Sequence, residues 1–203
     1  MGLKIRDTDL LDKYMKANAH KRLELMMEYY PVFPGMLRKI EKKTEYKIKA
    51  EKEYIKSHSR DELGVRVQTS GKSDPTANEA VANVALEEAL KTGDVDKGML
   101  KDVENADEYK ETIRMVSIMR MDYELLVDII SGFDTDDSVI IRKHLSEGKS
   151  FRIIAEEEEC SSDSIKRKYR RIRDEIKEEI KEEIIGCLEM NCRGGKQDEC
   201  HIC

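Results

Sequence analysis

Tryptophan is absent and phenylalanine occurs only three times, so compactness has to come from aliphatic side chains rather than a large aromatic core. Proline is scarce at three residues and glycine at 11, which removes most of the breaks that a β-rich or loop-rich chain needs. No apolar run approaches the roughly 18 residues that span a bilayer, so no membrane association is expected. The opening MGLKIRDTD has no apolar stretch of the secretory kind, and Arg6 stands where a myristoylation signal needs Ser or Thr. A cytoplasmic protein with reduced cysteines is the expectation. A glycine-rich phosphate loop, HExxH and GxSxG are all missing, and His20, His58, His144 and His201 are scattered. The glutamates at 156–159 read as a solvated charge run rather than an acid–base pair. The chain is therefore not expected to be an enzyme, and no catalytic residue is assigned.

What remains is rich in Glu, Lys, Leu, Ile, Met and Ala, with 39% of the 203 residues charged and 39% hydrophobic. That balance predicts an all-α protein with modest cores. Helical spacing of apolar residues runs over 7–30 (with Asp7 as N-cap), 35–57, 75–91 and 105–131. Asp74 caps the third of these, and Pro75 takes its first position, where no amide is needed. Residues 61–74 are polar and contain two glycines, reading as a linker with one short alternating piece at Val65 and Val67. The predicted organisation is an N-terminal helical hairpin over 1–60, the linker at 61–74 and a central helical region over 75–131. A DNA-binding domain over 132–190 and a cysteine-containing tail at 191–203 follow. The N-terminal helices are expected to be extended.

The densest signal lies at 136–173. Val139, Ile140, Ile141 and Leu145 form an apolar stripe, ended at Glu147-Gly148 where glycine supplies a left-handed cap. Ser150 is an N-cap for a short helix that buries Phe151, Ile154 and Ala155, and the small Ala155 lets two helices cross closely. Ser161 caps a third helix that buries Ile165, Tyr169 and Ile172. Cys160, in the turn before it, reads as a small core residue. With Ile165 inward, 100° per residue turns the charged positions outward. Residues 163–173 hold six Lys/Arg and one acid, a local net of +5. Two short helices at a tight break, followed by a basic helix, are the pattern of a helix-turn-helix whose second helix enters the major groove. Ser162, Asp163, Ser164, Lys166 and Arg167 are placed for base edges, and Arg170, Arg171 and Arg173 for phosphates. The competing reading is a solvated charged face.

The run from Glu147 to Glu156 (EGKSFRIIAE), followed by Cys160-Ser161-Ser162-Asp163-Ser164-Ile165-Lys166, resembles the helix-turn-helix of sigma factor region 4. Two positions depart: Glu158 and Glu159 stand where that family has an apolar residue and then glycine. Glu159 is then required to adopt the left-handed conformation, at a cost of about 1 kcal/mol. Upstream, Ser73-Asp74-Pro75-Thr76 and the following Ala77-Asn78-Glu79-Ala80-Val81 are similar to a segment of small phage transcription regulators of the ArpU and RinA type. The segment also reads simply as a good helix start. The resemblance implies a sequence-specific transcription regulator encoded by a phage or mobile element, with double-stranded DNA as partner. RNA polymerase or a second copy of the chain would engage the N-terminal helices. Alternatives are a sigma-like factor that directs core polymerase, a small terminase-like packaging protein, or a module whose basic helix binds an acidic protein.

Two further features stand outside that motif. From Leu37 to Arg60, nine Lys/Arg face four Glu, a net of +5 that reads either as a second DNA-backbone surface or as a solvated helix face. The last helix is expected to continue to about Met190, with Ile176, Ile180 and Ile184 every four residues, packing on another helix, on a second subunit or on nothing. Cys187, Cys192, Cys200 and Cys203 end the chain in a C-x4-C-x7-C-x2-C spacing. That set either holds zinc tetrahedrally or is an incidental group of reduced thiols. No other cofactor is expected.

Overall fold

The computed structural model describes residues 7–59, 75–96 and 98–194, with side chains described over 9–58, 77–96 and 98–180. The expected linker 61–74, including Val65, Val67 and Asp74, lies outside the described residues. Eight α-helices and no strand occur among the described residues, so the fold is all-α. They are α1 (Asp7–Met15), α2 (Ala19–Glu28), α3 (Phe33–Ser59), α4 (Pro75–Thr92), α5 (Ala106–Gly132), α6 (Thr135–Leu145), α7 (Phe151–Glu157) and α8 (Ser162–Gly194). No described helix is long and apolar enough to cross a membrane.

The single helix expected over 7–30 is two. Asn18 ends the run: its side chain accepts the Lys21 amide at 3.0 Å and starts α2 as an N-cap. The division has a large consequence, because the chain forms two compact units that interleave along the sequence. One holds residues 1–15 and 33–121, the other 16–32 and 122–203. These units cut across the sequential partition into 1–60, 75–131 and 132–190: α2 groups with the C-terminal helices, and α5 contributes to both units.

In the first unit, Leu10, Tyr14 and Phe33 are fully buried where α1 meets α3, with the Tyr14 and Phe33 rings 6.1 Å apart. A second cluster gathers Ile48 of α3, Leu86, Ala89 and Leu90 of α4, Leu100 and Val103 of the connecting segment, and Tyr109 and Ile113 of α5. Ala89 and Leu86 are nearly inaccessible, and the small residue permits the close approach. Gly93 ends α4 at φ +80°, and a Cβ there would lie 2.9 Å from Ser117 Cβ, so the position needs glycine twice over. Glu51 ties the unit together by accepting the Tyr109 hydroxyl at 3.0 Å.

In the second unit, Leu23 and Met26 of α2 and Leu126 of α5 are buried, together with Ile172, Ile176 and Ile180 of α8. α2 packs on α8, lining with Ala19, His20 and Leu23 a small crevice that Lys177 and Ile180 close. The four-residue isoleucine repeat is therefore covered within the chain as far as Ile180. Ile184 lies beyond the described side chains. Tyr123 adds a strut, donating to the Tyr30 carbonyl at 3.0 Å.

Candidate nucleic-acid interface

The candidate surface is carried by α6, α7 and α8, and each junction has a local cause. Asp134 caps α6 by accepting the Asp137 amide at 2.9 Å. The helix stops where Gly148 turns left-handed at φ +65°, which lets the Lys149 amide reach back to the Lys143 carbonyl at 3.1 Å. Ser150 then caps α7. α7 ends in a double closure: the Glu158 amide bonds the Ile154 carbonyl at 2.9 Å and the Cys160 amide the Ala155 carbonyl at 3.0 Å. Glu159 between them sits at φ +50°. This is the left-handed helix end that glycine favours, here imposed on a glutamate. Ser161 Oγ accepts the Ser164 amide at 3.1 Å and opens α8.

Below the surface, Ile140, Ile154, Ala155 and Ile165 form one buried cluster, with Phe151 and Tyr169 packed against it. Ile165 and Ile172 are buried as the helical spacing requires, while Tyr169 is half-buried. His144 joins the rings: it stacks on Phe151 at 4.3 Å and meets the edge of Tyr169 at 4.7 Å. Its Nδ1–H donates to the Lys149 carbonyl at 2.9 Å. Burial in that cluster pushes the Tyr169 phenol up, and the nearby Arg173 opposes the shift. His144 had no visible role in the sequence. The signal was its position four residues before Gly148, which turns it back over the following turn.

The basic face of α8 divides into two groups. Asp163, Arg167 and Arg170 occupy the ridge opposite Ile165 and are exposed, as is Lys168, a cation outside the expected contact set. Among the described residues, Arg167, Lys168 and Arg170 have no ion pair. Ser162, Ser164 and Lys166 are half-buried at the start of the helix, and Lys166 pairs with Asp163 at 3.3 Å. Arg171 is different: its guanidinium engages the buried carboxylate of Asp137 on α6 and lies 3.7 Å from Glu175. Arg173 is half-buried, reaches Asp174 at 3.3 Å and has its Nε enclosed without a protein partner. Beyond it the helix turns acidic, with Asp174, Glu175, Glu178 and Glu179.

One expectation is corrected. Cys160 is exposed, not a core residue, because the left-handed Glu159 swings the turn outward before α8 begins. The glutamates 156–159 are all exposed, as expected of a solvated run, and Glu156, Glu157 and Glu158 also pair with cations. Lys143 lies 2.7 Å from Glu157 and 2.6 Å from Glu158, and Lys149 lies 2.8 Å from Glu147 and 2.7 Å from Glu157. These contacts raise both lysines, strongly so for Lys143, and hold the Glu157 carboxyl below the usual carboxylate range. Arg152 pairs with Glu156 along α7.

The cysteine set reaches only the backbone of α8. The side chains of Cys187 and Cys192, and all of Cys200 and Cys203, lie outside the described residues. Among the described residues no group of metal-ligating side chains comes together. No family model matches the chain, and no curated protein or solved structure matches it either.

Proposed function

We propose that the chain is a sequence-specific DNA-binding transcription regulator, with α7 and α8 acting as a helix-turn-helix and the first turns of α8 entering the major groove. The observation that carries this reading is the basic ridge of Arg167 and Arg170, without ion pairs among the described residues and with the exposed Lys168 to one side, standing on the buried cluster that joins α6, α7 and α8. A helix is the element that fits a major groove about 12 Å wide, and its N-terminal residues are the ones that reach base edges. Ser162, Ser164, Lys166 and Arg167 fill that role, and Arg170 and Lys168 meet phosphates. The acidic stretch from Asp174 onward limits the contact to the beginning of the helix, since phosphates are repelled there. The formal charge of −6 fits a specific binder better than a nonspecific coat, because the positive charge is local.

The test is selection from a random duplex pool with the full chain. A recurrent sequence enriched over several rounds is the expected result. A pool that stays unenriched, with weak binding indifferent to sequence, would reject specific recognition.

A further inference from the structure

The cations of the trihelical assembly are not equally available to DNA. Asp137 is 6% exposed in the first turn of α6 and holds the Arg171 guanidinium. Releasing Arg171 to a phosphate would strand a buried carboxylate, which is costly to leave without a partner. Lys143 is held between two carboxylates, Glu157 and Glu158, and Lys149 between Glu147 and Glu157. All three clamps join different elements, so each also fixes one helix or turn against the next. Arg167, Lys168 and Arg170 of α8, and Arg142 of α6, have no such restraint among the described residues.

We propose that these intramolecular acid clamps withhold Arg171, Lys143 and Lys149 from DNA, leaving Lys168 and Arg170 as the phosphate contacts of α8 and so suppressing nonspecific binding. Asp137 is then a positioning residue that sets specificity through Arg171. The assignment of Arg171 as a phosphate contact, natural from its charge alone, is replaced by a strut role. The inference rests on the DNA-binding reading above and names how that site is tuned. Counterion release supplies the measure, because each phosphate contact contributes about 0.9 to the slope of log Kobs against log salt.

The experiment titrates the full chain against a labelled duplex of arbitrary sequence across a range of KCl concentrations, with thermal melting followed in parallel. Arg170→Met should lower the slope by about 0.9. Arg171→Met should leave the slope unchanged while lowering the melting temperature. Asp137→Asn, which keeps the shape of the side chain, should steepen the slope by about 0.9 and tighten nonspecific binding severalfold at moderate salt. Glu157→Gln with Glu158→Gln should also steepen it. A slope reduced equally by Arg171→Met and Arg170→Met would overturn the clamp, as would an unchanged slope in Asp137→Asn. If selection from the random pool enriches no duplex sequence, the DNA reading itself fails and the clamp falls with it; a failed clamp with an enriched sequence leaves that reading standing.

Discussion

Two helical stretches carry the same formal charge and present it differently. Residues 37–60, most of α3, and residues 163–173 of α8 each sum to +5. On α3 the charge is spread over twice the length and part of it is engaged by glutamates at helical reach, although the exposed Arg38, Lys39 and Lys47 have no ion pair among the described residues. Glu45 takes Lys42 at 3.0 Å and Lys49 at 2.7 Å, Glu53 takes Lys56 at 2.8 Å, and Glu41 engages Arg120 of α5. On α8 the same excess is packed into half the length with one acid, and Arg167, Lys168 and Arg170 remain unpaired among the described residues. Net charge is thus a poor guide to an electrostatic surface. What counts is whether an acid lies three or four residues away, or across a helix contact.

The largest expected effect removes the base on which the α8 ridge stands. Ile154 is fully buried in the cluster joining α6, α7 and α8, so Ile154→Ala should cost about 2–5 kcal/mol in thermal or urea unfolding. The matching test on α3 should do almost nothing to DNA affinity: Lys42→Gln with Lys49→Gln leaves binding within about twofold, since both amines are already engaged by Glu45. A loss comparable to that of an α8 arginine would erase the distinction between the two helices.

Acid titration sharpens it further. Glu157 is held low chiefly by its contacts with Lys143 and Lys149. A depressed carboxylate stabilises the fold fully above its unfolded value of about 4.3, and that contribution disappears as pH falls through the lower folded value. The melting temperature of the wild type should therefore fall more steeply between about pH 5 and pH 3 than that of Glu157→Gln. The smallest effects are local. Ser161→Ala removes the cap of α8 and should cost about 1 kcal/mol. Glu159→Gly relieves the left-handed backbone and should stabilise by about 0.5–1 kcal/mol, read by melting with DNA affinity unchanged.

Much of this architecture is legible from local rules. Helices expected over 75–91 and 105–131 are found at Pro75–Thr92 and Ala106–Gly132, because glycines and a proline punctuate them. The capping roles of Ser150 and Ser161 follow from their hydroxyls, and the strained Glu159 from its place in the turn. What escaped is long-range. The apolar periodicity runs through the break at Asn18, so nothing local says that α2 leaves α1 and packs on α8. The pairing of Arg171 with Asp137 joins residues 34 positions apart, and that of Lys143 with Glu158 joins residues 15 apart. Charge counting along the chain sees those cations as free. Lys168 follows a related logic: helical spacing puts it about 60° from the buried Ile165, yet its long side chain still reaches solvent.

The most direct test of the central claim is the salt dependence of duplex binding by wild type and by Arg167→Ala with Arg170→Ala. The account predicts that the double variant folds and melts as the wild type does. Specific binding should be lost with Arg167, and the slope of log Kobs against log salt should fall by about 0.9, the one phosphate contact of Arg170. A double variant that keeps the wild-type affinity and slope would contradict it.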